Sequence, residues 1–195
     1  MIRVETSEQF PQIEAEKIAL ELLSALGWAE QGGISTTLQI WATCPINIGI
    51  GPTGVIGDCH LKTLLNPAEP KAKLALALYR EGWSVNLEPY KLLGFYKVIN
   101  ILFHYGRDQE KWINDHLRYV KGRRALERID HIKSENGDVG HYLYASGRCA
   151  VAHAFGDPVV NPDDPTDLNR IRSDIPLMCE LAQVAIEREF GIALV

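Results

Sequence analysis

The stretch EPYKLLGFYKVINILFHYG, residues 88–106, constrains the fold more than any other part of this chain. Pro89 suits the first turn of a helix, and Gly106 suits its end. Apolar side chains occur nearly all round this helix, and such a helix is stable only where neighbours cover every side. The sequence therefore predicts a central, buried helix inside a bundle.

Further helical patterns surround this stretch, and several carry recognisable ends. The last helix should start at Pro165 with Asp164 as its cap, and Gly137 should form a turn. The predicted bounds are 71–82 ending at Gly82, 109–134 with an interruption at Gly122, about 138–155, and about 165–191. The fold class is therefore mainly α.

The N-terminal part reads differently and defines a second predicted unit. Residues 7–26 look helical, with Ser7 as cap and Gly27 as terminator. Residues 34–42, ISTTLQIWA, alternate as a β-strand does, and 45–66 are glycine-rich and irregular. The loop at 66–70 divides the chain into a small α+β segment, 1–68, and a helical domain, 69–195.

Composition excludes several classes of protein. The 195 residues are 46% hydrophobic and 23% charged, which is ordinary for a globular chain. No apolar run reaches membrane-spanning length, and MIRVETSEQF lacks the apolar core of a signal peptide. The 4 cysteines are scattered, as in reduced proteins. We therefore expect a cytoplasmic protein, and the net charge of −5 argues against a dedicated, tightly bound nucleic acid.

Two motifs have simpler explanations than the functions they resemble. Gly49 to Gly54, GIGPTG, matches a dinucleotide-binding pattern, but Pro52 and Gly57 prevent the helix that a pyrophosphate needs. A tight turn is the favoured interpretation. The histidines lack acidic or cysteine partners at metal-ligand spacing, so no metal or other cofactor is predicted.

A basic stretch, RYVKGRRALERIDHIK, offers a candidate surface for phosphates. Arg123 and Arg124 are its candidate RNA-binding residues. The interleaved Glu127 and Asp130 also fit a solvated helix face with ion pairs, and both interpretations stay open.

The segment SGRCAVAHAF, residues 146–155, places Arg148 and His153 five positions apart among small and apolar residues. A buried arginine must be paired or hydrogen-bonded. On an ideal helix the two side chains point about 140° apart, so they could converge only across a two-fold axis. A structural arginine and a core histidine remain the alternative.

This combination resembles the HEPN family, whose members carry an arginine and a histidine separated by four to six residues. RCAVAH near the end of a late helix, the aromatic-rich YKLLGFYKVINILFHYG and a final helix after a loop carry the resemblance, over 71–195. The tail VNPDDPTDLNRIRSDIPLMCELAQVAIEREFGI also resembles proteins associated with methylamine-utilisation clusters.

The resemblance implies a HEPN-like helical bundle and a metal-independent endoribonuclease that acts as a homodimer, plausible in antiviral defence or as the toxin of a toxin–antitoxin pair. His153 would be the general acid or base for attack of the RNA 2′-hydroxyl, and Arg148 would stabilise phosphoryl charge. Asn100 would join Arg123 and Arg124 in substrate binding. An antitoxin or regulatory protein would be a further partner.

Two positions depart from the pattern of the nuclease members. Cys149 stands where these often carry a polar residue, commonly asparagine, and Asn100 stands where the aromatic helix often carries glutamate. The alternative function is therefore a non-catalytic HEPN module for dimerisation, ligand sensing or partner binding.

Overall fold

The computed structural model describes residues 12–29, 67–153 and 158–193, and nearly all of them are helical. The elements in chain order are α1 (Gln12–Ala29), α2 (Pro70–Ser84), α3 (Glu88–Leu102), α4 (Gly106–His116), a 3₁₀ turn (Leu117–Tyr119), α5 (Arg123–Asn136), α6 (Val139–Tyr142), a π-helical segment (Leu143–Cys149), α7 (Ala150–Ala152) and α8 (Pro165–Glu189). The described part of the chain contains no β-strand. The prediction of a mainly α-helical bundle is confirmed.

Helix α3 forms the centre of this bundle, as its composition predicts. It packs against α2 on one side and α8 on the other. Leu92, Phe95, Tyr96 and Ile99 are all completely buried. Covering this helix on every side removes the most apolar part of the chain from water, which stabilises the fold by about 25 cal/mol for each Å² of apolar surface.

Gly82 has a different role from the one its sequence position suggests. Helix α2 continues through it to Ser84. A Cβ atom at Gly82 would lie 2.8 Å from the Phe95 ring, and one at Gly94 would lie 2.9 Å from the Gly82 Cα. The prediction that Gly82 ends the helix is wrong, because these glycines instead allow α2 and α3 to pack backbone against backbone.

Two other helices also end at residues that differ from the predicted ones. Helix α1 runs through Gly27 to Ala29, because Trp28 is fully buried and its Nε1 donates to the Ala193 carbonyl at 3.2 Å. Helix α3 ends at Leu102, and Gly106 begins α4. In each case a contact from elsewhere in the chain outweighs the local preference of glycine.

The start of α8 and both ends of α5 lie where the local sequence predicts them. Asp164 accepts a hydrogen bond from the Thr166 backbone at 2.8 Å and Pro165 opens α8. Gly122 precedes α5, and Gly137 ends it with a φ of 77°.

The predicted cap Ser7, the strand at 34–42, the irregular part 45–66 and the motif Gly49 to Gly54 lie outside the described residues. The division at 66–70 stays a prediction, and the structure shows only that α2 begins at Pro70. In the described parts of the chain, no helix is long and apolar enough to cross a membrane.

Candidate functional site

The segment that carries Arg148 is anchored at its start by a close contact with α4. Asp138 caps α6 by accepting from the His141 backbone at 2.9 Å, and it also accepts from Asn114 at 2.8 Å. Asn114 in turn accepts from the Gly140 backbone at 2.9 Å. A Cβ atom at Gly140 would lie 2.3 Å from the Glu110 carbonyl oxygen, so α6 can approach α4 only with glycine there.

Beyond α6 the helix changes to π geometry over Leu143–Cys149. Such segments are rare and frequently occur at functional sites. Arg170 on α8 donates to the Ser146 carbonyl at 2.7 Å, which satisfies one backbone acceptor of this segment. Tyr144 packs against Gly106 at the start of α4, where any side chain would overlap its ring.

Arg148 is partly exposed, and a thiol and an aromatic ring hold its guanidinium in place. Its Nη1 donates to the Cys149 sulfur at 3.4 Å, and its Cζ lies 5.6 Å from the centre of the Tyr144 ring. Among the described residues, no carboxylate lies within ion-pair distance of it. Hydrogen bonding to Cys149 raises the pKa of Arg148, so the guanidinium stays charged.

His153 lies at the point where this helix ends. The predicted helix to Phe155 is too long, because α7 stops at Ala152 and His153 has extended backbone angles of −126° and 134°. Its backbone N–H donates to the Cys149 carbonyl at 3.0 Å. The side chain is half-buried. Because π geometry and an extended residue replace the ideal α-helix, the predicted divergence of about 140° does not describe this pair.

Helix α3, which packs against this segment, carries two buried polar atoms. The Tyr96 hydroxyl and the Asn100 Oδ1 are one helical turn apart, and neither has a hydrogen-bond partner among the described residues. Burial raises the pKa of Tyr96, and the charge of Arg148 opposes that rise, so the two side chains are electrostatic neighbours. Unsatisfied buried polar groups cost about 1–3 kcal/mol each, and functional sites are where they are commonly kept.

The other two predicted substrate-binding residues lie on a different element. Arg123 and Arg124 are exposed at the start of α5, which packs on α8 and α6. Arg123 lies 3.3 Å from Glu127 on the same helix. Arg123 therefore makes the ion pair that the helix-face interpretation expects, and RNA binding by Arg123 and Arg124 stays a prediction.

No pattern in the sequence indicated the buried polar network formed by Arg128, Tyr142 and Asp174. Asp174, which is completely buried on α8, accepts from Arg128 Nε at 2.7 Å and from the Tyr142 hydroxyl at 3.1 Å. Arg128 Nη2 also donates to that hydroxyl at 2.7 Å. These residues lie far apart in the chain, and Arg128 looked like one of several exposed cations on α5. No group of three or more His, Cys, Asp or Glu side chains in the described ranges could hold a metal ion.

Fold and site together define a helical-bundle protein with an arginine and a histidine at the end of a π-distorted helix. Residues 75–187 match the family described as Methylamine utilization protein MauJ, and the chain belongs to this family. No curated protein and no solved structure matches it. The methylamine-utilisation part of the predicted resemblance is confirmed.

Proposed function

We propose that this protein is a metal-independent endoribonuclease of HEPN type, with Arg148 and His153 as its catalytic residues. The observation that carries the proposal is the charged, partly exposed guanidinium of Arg148, which a thiol and a ring hold in place and which has no ion-pair partner among the described residues. Guanidinium groups bind phosphate oxygens in a bidentate manner. A fixed cation of this kind suits a phosphate that arrives with a substrate.

In the proposed reaction, one histidine takes the proton from the RNA 2′-hydroxyl, and this oxygen attacks the adjacent phosphorus. The bond from phosphorus to the 5′-oxygen breaks, and that oxygen receives a proton. The products are a 2′,3′-cyclic phosphate and a 5′-hydroxyl, so no oxidant, reductant or metal is consumed. Arg148 stabilises the charge that builds up on the phosphoryl oxygens.

Tyr96 supports the proposal as an electrostatic neighbour of that cation, and Asn100 lies one helical turn from Tyr96 on α3. A tyrosine hydroxyl can donate a hydrogen bond, and an asparagine amide can both donate and accept. Tyr96 therefore adds a neutral polar group near Arg148. Asn100 has no charge, so it does not repel a phosphate as a carboxylate would.

Cleavage of labelled RNA in EDTA, followed on a gel, tests this function. We expect Arg148→Ala and His153→Ala each to lower the rate by about 10²–10⁴-fold, and the double variant to be little worse than either single change. His131→Ala is the matched control, because that histidine lies exposed on α5 and pairs with Glu135 at 3.4 Å. The control should cut RNA at the wild-type rate.

Cleavage that persists in the double variant would assign the chemistry to other residues. Loss of cleavage on chelation alone would remove the metal-independent mechanism. A substrate with 2′-deoxyribose at the cut site should survive, since it lacks the nucleophile. Circular dichroism of each variant separates loss of activity from loss of fold.

The second candidate function is a non-catalytic HEPN module that binds a ligand or a partner. The Arg148 contact with Cys149 favours it, because the thiol occupies a donor that a nuclease would use on phosphate. The description of the family also links it to methylamine utilisation, a metabolic setting. If wild-type protein cuts no RNA, while small anions raise its melting temperature and Arg148→Ala removes that rise, this function replaces the first.

A further inference from the structure

A surface at the far end of α4 joins the start of the basic stretch, Arg118 and Tyr119, to Arg188 of α8, which the sequence pattern did not connect with it. Tyr119, in the 3₁₀ turn, lies between two exposed arginines from different elements. The Cζ of Arg188 on α8 lies 3.3 Å from the centre of the Tyr119 ring, and the Cζ of Arg118 lies 4.8 Å from it. Both guanidinium groups are therefore ordered by the same ring.

The ring is itself held by a row of aromatic side chains. His116 lies 5.7 Å from Tyr119 and stacks on Trp112 at 4.2 Å with an interplanar angle of 15°. Glu189 accepts from Trp112 Nε1 at 2.9 Å and lies 3.7 Å from His116 Nε2. The carboxylate that follows Arg188 in the chain is thus directed toward the aromatic row.

The stretch that contains Tyr119 is positive in a chain that is negative overall. From His116 to Leu126 the sequence contains 4 cations and no carboxylate. Of the nearby carboxylates, Asp115 pairs with Lys111, and Glu180 Oε2 accepts from the backbone N–H groups of Lys121 and Gly122 at 2.8 and 2.9 Å. Two arginines close to one ring repel each other, so an anionic ligand beside them would lower the energy of the surface.

We infer that Arg118, Tyr119 and Arg188 form a docking surface for single-stranded RNA. A guanidinium that packs against a ring keeps N–H groups for phosphates, and guanidinium planes and aromatic rings are surfaces on which unpaired bases stack. Duplex RNA keeps its bases stacked inside, so it can use only the charge of this surface. This inference adds an RNA-binding surface to the proposed cleavage site. Binding of RNA to this surface can be measured whether or not the chain cuts RNA.

The position of the surface also separates it from the proposed catalytic residues. Tyr144, which contacts Arg148, packs at Gly106 where α4 begins, whereas Tyr119 follows the end of α4. The length of α4, about 16 Å, lies between these two points. A strand held at Tyr119 would therefore be anchored away from the bond that is cut.

Fluorescence anisotropy with a labelled 2′-O-methyl RNA of about 12 nucleotides tests the inference, since this probe cannot be cleaved and its length lies within common single-strand site sizes. Arg118→Gln with Arg188→Gln should weaken binding by about tenfold. The slope of log affinity against log salt should fall by about 0.7 for each arginine removed. Tyr119→Leu should also weaken RNA binding, because the two arginines keep their charge but lose the aromatic ring against which they pack.

Arg172→Gln is the control, since Arg172 is an exposed arginine on the same helix α8 that donates to Glu88 at 2.7 Å. It should leave the affinity unchanged. The inference is overturned if the probe does not bind at low salt, if the Arg118 and Arg188 variants bind as the wild type does, or if a duplex of equal length binds as tightly. Binding that depends on these arginines in a chain that cuts no RNA would retain the surface and reject the nuclease.

Discussion

At the scale of single residues, Arg128 and Asp174 form the most consequential pair in the bundle. The Arg128 side chain is 11% exposed and the Asp174 side chain 0%. Burial raises the pKa of Asp174, while the charge and hydrogen bond of Arg128 and the Tyr142 hydroxyl oppose that rise. Removing the cation would leave the Asp174 carboxylate inside the protein with the Tyr142 hydroxyl as its hydrogen-bond partner and only the more distant charge of Arg170 to oppose its burial.

Arg128→Met should therefore destabilise the protein by about 3–5 kcal/mol, the usual cost of leaving a buried charge unpaired. Urea unfolding at neutral pH measures the loss. Arg123→Met on the same helix is the matched control, because its pair with Glu127 is exposed and should change stability by less than about 1 kcal/mol.

The stability of the Arg128→Met variant should depend on pH in a direction that the pKa of Asp174 determines. Without Arg128 the folded-state pKa of Asp174 lies above its unfolded value, so the protonated form is favoured in the fold. The variant should recover part of its lost stability as pH falls toward the ordinary aspartate pKa of about 3.9. An equal stability deficit at pH 7 and pH 5 would contradict this account.

At the scale of elements, the cap of α6 determines where the π-helical segment starts. Asp138 joins α6 to α4 through Asn114, and Gly140 allows the close approach of the two backbones. Hydrogen bonds from the His141 backbone and from Asn114 lower the pKa of Asp138. The arrangement of Tyr144 and Arg148 depends on this anchor.

We expect Asp138→Ala to cost about 1 kcal/mol, the typical value for an N-cap. Because the folded-state pKa of Asp138 is lowered, its contribution is present above the unfolded pKa and lost as pH falls through the folded value. The difference between wild type and variant in urea unfolding should therefore shrink in acid. A difference that is constant with pH would mean that the carboxylate charge does not support the cap. Asp163→Ala, at an exposed aspartate just before α8, is the control and should change stability little.

At the scale of the whole molecule, the homodimer stays a prediction that follows from the proposed function. Arg148 lies in π geometry and His153 follows the helix end, so the ideal-helix argument for a two-fold axis no longer applies, and the oligomeric state has to be measured. We expect a homodimer by light scattering at tens of micromolar concentration. A mixture of Arg148→Ala and His153→Ala proteins should regain activity if sites are composite, and a monomer with full activity would contradict this expectation.

Much of the bundle could be predicted from the sequence, because its signals act locally. Asp164 and Pro165 start α8, and Gly137 ends α5, through the chemistry of their own backbone neighbours. The burial of α3 followed from its composition, since a helix that is apolar all round must be covered. The position of Arg148 and His153 near the end of a late helix also followed from the pattern, and their joint role in a site stays a prediction.

Only the tertiary structure decided what depends on contacts between distant residues. Gly27 and Gly82 look like helix ends, but the burial of Trp28 and the packing of α2 on α3 keep both inside helices. Arg128 differs from Arg123 only through Asp174, which is 46 positions away. Local patterns determine where helices can form, whereas packing determines which cations are buried, which glycines allow close approach and where a helix widens to π geometry, because these energies arise only when the elements meet.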